Sequence, residues 1–179
     1  MNRSQLEHII RAAGSIADDK DIIVLGSTSI LAQFPSFPEP LLFSVEADVF
    51  PKNRPEMSDV IDGSIGELSP FHQAFGYYAH GVSSETTNNL PEGWDSRLVP
   101  LSGPNMEGVT GWCIEVHDLV AGKYASGREK DLLFIAGVIA AELVDRDVLM
   151  SRVDALRVDE STKERIRMRI VRDFNEAGR

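Results

Sequence analysis

The chain has 179 residues, with 18 Lys+Arg against 28 Asp+Glu and a formal net charge of -10. That length suits one domain with a helical extension, and a chain of this size buries roughly 70% of the surface its unfolded form exposes, so it needs no staples. The balance of 42% hydrophobic and 26% charged residues excludes the disordered and low-complexity classes, the single Cys113 excludes an intramolecular disulfide and a Cys-rich zinc site, and the acidity argues against a duplex-DNA coat while leaving room for a local basic patch that meets RNA.

Ser4 and Glu7 stand at capping-box spacing, and Leu6, Ile9, Ile10 and Ala13 recur at helical spacing, which predicts a first helix to about Ala17. Ile22-Ile23-Val24-Leu25 is a short β-branched run after a polar turn and reads as a buried strand. Gly26-Ser27 follows at once, and Ser27 to Gln33 is helix-compatible until Pro35, Pro38 and Pro40 break it into an extended loop. Leu41 to Phe50 reads as a second strand, with Val45, Ala47 and Val49 on one face and Ser44, Glu46 and Asp48 on the other. Helices are expected at about Arg54–Ile61 and Pro70–Phe75. Tyr77–Val82, Arg97–Leu101 and Val109–Val116 are strand-sized pieces between turn signals.

From Asp118, the expected cap of its helix, the chain turns helical. Leu132, Ile135, Ala136, Ile139, Ala140 and Leu143 make a wide apolar stripe. A short helix near Asp147–Leu156 and a last one from the Ser161/Glu164 capping pair to about Gly178 complete the chain. The expected architecture is therefore α/β (α+β): a short mixed sheet flanked by helices over residues 1–116, then a helical lobe over 117–179. The apolar stretch Leu132 to Ala141 ends at Glu142 and falls short of the roughly 20 residues a membrane span needs. Residues 1–20 are charged throughout and lack a signal-peptide apolar core, so a cytoplasmic protein without a membrane partner is expected.

The constellation richest in chemistry is Gly26-Ser27 after one strand and Glu46-x-Asp48 on the next. Glycine lets a phosphate approach the backbone, serine adds a hydroxyl donor, and a helix N-terminus beyond them supplies N–H groups. Glu46 and Asp48 share a strand face at roughly 6–7 Å along the backbone, a spacing at which carboxylates hold a hard cation such as Mg2+ together with phosphate oxygens. Metal bridged to phosphate is what nucleotidyl transfer needs. Each fragment also has a bland reading, as a common turn and a solvated strand face. Lys123 and Asp131 form a second cluster, with Lys123 suited to phosphate and Asp131 to a further carboxylate role. Arg128 and Asp131 also make an ordinary i,i+3 surface pair. His117 reads as a local hydrogen-bonding residue, and Glu115 as either a third metal carboxylate or a solvent-facing residue. Arg165, Arg169 and Arg172 form a stripe that could grip RNA but reads better as a solvated face laced with Glu164, Asp173 and Glu176. Trp94, Trp112, Phe71, Phe75, Tyr77 and Tyr78 read as core or pocket wall.

The order Ile23-Val24-Leu25-Gly26-Ser27, Val45-Glu46-Ala47-Asp48-Val49, Lys123 and Arg128-Glu129-Lys130-Asp131 resembles the polymerase-β-type minimal nucleotidyltransferases, closest to the AbiEii/MenT-like bacterial toxin branch and its uncharacterised relatives. The resemblance covers residues 20 to 145. It implies a nucleotidyltransferase-type fold and a metal-dependent enzyme that moves NMP from NTP to an RNA or protein acceptor, as the toxin of a toxin–antitoxin pair with an antitoxin protein as partner. It implies Gly26, Ser27 and Lys123 as nucleotide-binding residues, and Glu46 and Asp48 as ligands of Mg2+ (or Mn2+). Asp48, Lys123 and Asp131 become the catalytic set, with the helical lobe completing the site. Glu46 stands where Asp is usual, and the connection before it is long and proline-rich. Both features motivate the alternative, a catalytically degenerate nucleotidyltransferase fold acting as a nucleotide-binding or protein-interaction module.

Overall fold

A computed structural model of the chain describes residues 1–35 and 44–179. Two compact units emerge, residues 1–86 with 98–114, and residues 87–97 with 115–179. The loop prolines Pro38 and Pro40 and the start of the expected second strand, residues 41–43, lie outside the described residues.

The first unit is a five-stranded mixed sheet in the order Tyr78–Gly81, Glu46–Pro51, Asp21–Leu25, Thr110–Cys113 and Val99–Leu101, with helices packed on it. Helix α1 (Arg3–Ala17) starts earlier than the Ser4/Glu7 pattern suggests. Asn2 is the cap: its side chain accepts from the Gln5 N–H at 3.0 Å while Gln5 Oε1 accepts from the Asn2 N–H at 2.8 Å. Glu7 is engaged elsewhere, accepting from Arg3 Nε at 3.1 Å. Leu6, Ile9, Ile10 and Ala13 then pack in one core with Ile22, Val24, Ala47, Val49, Leu101 and Cys113. Full burial of such aliphatic side chains is worth roughly 1.5–3 kcal/mol each, before chain entropy is set against it.

Strand β1 (Asp21–Leu25) has Ile22, Ile23, Val24 and Leu25 all buried, as a central strand covered on both faces must. It pairs antiparallel with β2 (Glu46–Pro51), Leu25 opposite Asp48 and Val24 opposite Val49. The turn Pro55–Met57 is a 3-10 turn that leads into α2 (Ser58–Ile65). The helix thus runs past its expected end, because Ile65 is buried one turn beyond buried Ile61. Helix α3 (Pro70–Phe75) lies as expected, capped by Ser69. Strand β3 (Tyr78–Gly81) pairs parallel with β2, and β4 (Val99–Leu101) pairs antiparallel with β5 (Thr110–Cys113), which itself lies parallel to β1. Strand β5 stops at Cys113 rather than running to Val116, because Glu115 already caps the next helix.

The second unit contains α4 (Val116–Ser126), α5 (Glu129–Ala140), α6 (Arg146–Asp154) and α7 (Glu160–Glu176). Asp118 is not the cap of α4. Glu115 is, accepting from the His117 and Asp118 N–H groups. Asp118 is fully buried instead, accepting from Arg97 Nε at 2.8 Å and Arg97 Nη2 at 2.9 Å, with Arg152 Nε 3.2 Å away as an ion pair. This cluster ties the 87–97 segment to α4 and α6, and Glu92 N–H adds a bond to the Ala155 carbonyl at 2.8 Å. At α7 the cap is Asp159, two residues before the expected Ser161; it accepts from Thr162 N–H at 2.9 Å. Among the described residues no helix is long and apolar enough to cross a membrane.

Urea denaturation measures how much this packing contributes. A Cβ at Gly81 would run into the Ser58 carbonyl of α2, whereas one at Gly63 meets nothing within 4 Å. Gly81→Ala is expected to lose about 1–3 kcal/mol, and Gly63→Ala, on an exposed helical turn, to gain about 0.5–1 kcal/mol. Asp118→Ala leaves two guanidiniums around a buried hole and should cost about 3–5 kcal/mol.

Candidate functional site

The β1–β2 pairing places the end of one strand beside the middle of the other. Gly26 leaves β1 with φ of +68°, a conformation side chains rarely adopt, and a Cβ built there would collide with Asp48 Oδ2. Glycine is therefore required twice over, by the backbone angle and by the carboxylate beside it. The segment after it, Ser27–Ala32, is a six-residue 3-10 helix and not the expected α-helix. Ser29 explains part of this: its Oγ donates to the Gly26 carbonyl at 2.8 Å and its N–H to the same oxygen at 3.2 Å, tightening the first turn. So short a segment sums fewer peptide dipoles than a full α-helix would.

Glu46 and Asp48 share the face of β2 opposite the buried Ala47 and Val49. The parallel register sets Tyr78 opposite Glu46 and His80 opposite Asp48. His80 Nδ1 lies 3.1 Å from Asp48 Oδ1 and 3.4 Å from Glu46 Oε1. Tyr78 Oη donates to Glu46 Oε2 at 3.0 Å, and its ring packs against His72 at 4.6 Å between centroids. One ligand atom each from Glu46, Asp48 and His80 fall within 4.8 Å of one another, a donor set that fits a divalent cation.

The electrostatics follow from this crowding. Burial, then the hydrogen bond with the Glu46 carboxyl and its charge, raise the Asp48 carboxyl above the ordinary aspartate value, with His80 acting in the opposite direction. Burial works against the His80 imidazolium, but the bond to Asp48 and the charges of Asp48, Glu46 and Asp62 outweigh it and hold His80 above its usual value. The Tyr78 hydroxyl is pushed up to about 12 by burial and by Glu46.

Neither His80 nor Tyr78 is among the site residues that the sequence pattern singles out. The available signal is the period-two spacing of Tyr78 and His80, which places both on one face of their strand.

In the second unit Lys123 and Asp131 are brought together. Lys123 Nζ pairs with Asp131 Oδ1, Ser126 Oγ donates to Asp131 Oδ2 at 3.1 Å, and the ammonium sits 4.8 Å from the Phe134 ring centroid. Asp131 is buried, so it is no surface partner of Arg128. Glu115 and His117 bind each other: His117 Nδ1 lies 2.7 Å from Glu115 Oε1, while its Nε2 accepts from Asp145 N–H at 2.9 Å. Nδ1 therefore carries the proton and donates to the glutamate. Of the α7 arginine stripe, Arg172 is met by Asp173 at 3.0 Å and Glu176 at 3.7 Å and Arg169 by Asp173 at 3.8 Å, while Arg165 donates to Thr162 Oγ1 at 2.8 Å. Phe71, Phe75 and Tyr77 form an aromatic cluster around His8, with centroids 4.8–6.0 Å apart.

A mixed sheet carrying a strand–Gly–Ser turn beside a two-carboxylate strand defines a nucleotidyltransferase type of protein. The chain belongs to the family described as nucleotidyltransferase of unknown function (DUF6036), which it matches over residues 4–178. No curated protein and no solved structure matches it. Nucleotidyltransferases in general use a nucleoside triphosphate and a divalent metal, and the Glu46–Asp48–His80 donor set is a candidate for the latter.

The pKa directions carry a stability prediction for metal-free protein in EDTA. Asp48 binds its proton more tightly folded than unfolded, so its favourable contribution is present below the ordinary aspartate value and lost as pH rises through the folded value. His80 has the same sign: its contribution is present below its unfolded value and lost above its folded one. Asp48→Asn should therefore be at least as stable as the parent at alkaline pH, where both groups have lost their protons. The difference should turn against the variant as pH falls through the raised His80 value, the change being complete below about 6.5. Thermal melts across pH read this directly.

Proposed function

We propose that the protein is a metal-dependent nucleotidyltransferase that moves an NMP unit from NTP to a hydroxyl on an RNA or protein acceptor. The observation that carries this reading is the packing of the Gly26 turn against the Asp48 carboxylate, which sets the turn that the resemblance assigns to donor phosphates directly beside a cation-binding pair. In this reading the Gly26 and Ser27 turn holds the donor phosphates, and Glu46 with Asp48 holds Mg2+ or Mn2+. The bound ion supplies charge neutralisation for the departing pyrophosphate. The acceptor oxygen forms a bond to the α-phosphorus, the bond from that phosphorus to the β-phosphate oxygen breaks, pyrophosphate leaves, and the hydroxyl proton passes to solvent. In the same reading Lys123 balances triphosphate charge, and Asp131 orients a metal, water or the acceptor hydroxyl. The two form an ion pair in the second unit.

The same resemblance supports a toxin role with an antitoxin protein as partner, and a cytoplasmic setting. Incubation with labelled NTPs, Mg2+ or Mn2+, and either total RNA or total protein tests the proposal. Label should enter one acceptor class and fall by at least about a hundredfold in Asp48→Ala, with Lys123→Ala lowering it by about tenfold or more. Transfer that survives Asp48→Ala would remove the mechanism. Saturable NTP binding without transfer to any acceptor would leave the nucleotide-binding module as the function.

A further inference from the structure

The two carboxylates of β2 do not face each other alone, and their neighbour on β3 is a nitrogen donor. Resting on the reading of Glu46 and Asp48 as a cation site, we infer that His80 is a third ligand of that ion, and that the site selects a first-row transition ion over Mg2+.

Placement is the first support. His80 is held opposite Asp48 by the parallel β2–β3 register, so the imidazole is positioned by sheet backbone and not by a loop. Sites built on strands hold their groups more tightly than sites built on loops.

Spacing is the second. Two neighbouring ligands at right angles on an ion with bonds of about 2.1 Å stand roughly 3.0 Å apart, and tetrahedral ones somewhat farther. His80 Nδ1 stands 3.1 Å from Asp48 Oδ1 and 3.4 Å from Glu46 Oε1. These separations suit a common ion with small adjustments of the side chains.

Orientation is the third. Each carboxylate turns one oxygen to the scaffold and the other toward His80. Glu46 Oε2 accepts from Tyr78 Oη at 3.0 Å, leaving Oε1 as the oxygen nearest the ring. Asp48 Oδ2 lies against Gly26, leaving Oδ1. Such outer contacts are how proteins fix ligand atoms before the metal arrives. The side chains are 51%, 37% and 30% exposed for His80, Glu46 and Asp48, so the cluster is open to incoming phosphate oxygens or water.

Chemistry then decides the ion. Mg2+ is hard and takes oxygen ligands, whereas imidazole suits the later first-row ions. One nitrogen among three protein donors therefore lowers the standing of Mg2+ relative to Co2+, Ni2+ or Zn2+. Asp or Glu in place of His80 would give the all-oxygen set that Mg2+ prefers.

The test uses the full chain without nucleotide, with Co2+ and Mg2+ as probes. Calorimetry gives both affinities, and proton NMR of the Co2+ form reads ligation directly. The expected results are a strongly shifted exchangeable imidazole Nε2–H signal in the parent protein, a loss of about tenfold or more in Co2+ affinity in His80→Ala, and a clearly smaller change for Mg2+. His80→Asp should reverse the preference by strengthening Mg2+. Co2+ binding that is abolished by Asp48→Ala, yet shows no shifted imidazole signal and no dependence on His80, would overturn the inference and leave the carboxylate cation site intact. Absence of binding by either ion, with or without added NTP, would overturn both. The shifted signal is sought in the unsubstituted protein, so a variant that fails to fold does not decide the matter.

Discussion

The antiparallel pairing of β1 with β2 is the constraint on which the site depends. Leu25 stands opposite Asp48, and one residue further the chain must turn away from the carboxylate it has just met. Only a residue without a side chain can make that turn at φ of +68° with Asp48 Oδ2 occupying the space a Cβ would need. A slip of one residue would exchange the buried Ala47 and Val49 for Glu46 and Asp48 and bury two carboxylates in the core. The hydrophobic pattern that holds the sheet together thus also holds the chemistry outside it. Strand β3 then extends the arrangement, since a parallel neighbour of β2 in this register must present Tyr78 to Glu46 and His80 to Asp48.

What can be read from the sequence divides along the range of the interaction. The strand–Gly–Ser turn and the Glu46/Asp48 face are local patterns, set by glycine and by period-two alternation, and neighbouring residues alone suffice to reveal them. The mixed sheet with a helical C-terminal part is legible in the same way. His80 is not, because α2 and α3 separate its strand from β2 and nothing local specifies the register between them. Caps show the same limit on a smaller scale. Asn2/Gln5 and Ser4/Glu7 satisfy the same spacing rule, and the choice falls to Asn2 in a fold where Arg3 takes Glu7. Asp118 satisfies the rule for a helix cap, yet it is drawn inward by Arg97 and Arg152, partners 21 and 34 positions away in the numbering of the chain. The 3-10 segment after Gly26 has the apolar spacing of an α-helix because so few residues do not separate the two, while the Ser29 bond to the Gly26 carbonyl does.

The carboxylates of this acidic chain differ chiefly in how their charge is met. Asp118 is fully buried between two guanidiniums, an arrangement with more positive than negative charge and no further cation to recruit. Asp131 has an ammonium and a hydroxyl of its own. Asp19 accepts three hydrogen bonds from Asp21 N–H and Asn53, and they hold it below the ordinary aspartate range although burial pulls the other way. At Asp48 the balance is reversed. Among the described residues its basic neighbour is an imidazole, its other close ionisable neighbour is Glu46, and its affinity for a proton is raised accordingly.

Buried structural carboxylates are expected to be satisfied, and three of these are. A carboxylate left short of positive charge on an otherwise well-ordered sheet weakens the metal-free fold, and folds retain such groups where they serve a ligand. Asp48 is such a group: its neighbours are a second carboxylate and an imidazole, while Glu46 Oε2 accepts from Tyr78 and Asp48 Oδ2 lies against Gly26. A cation entering there would relieve carboxylate repulsion without having to organise its own ligands. The same reasoning explains why the glycine is placed at Gly26 and the rigid donors on strands. On the proposed reading, both lower the cost of bringing phosphate and metal to one point.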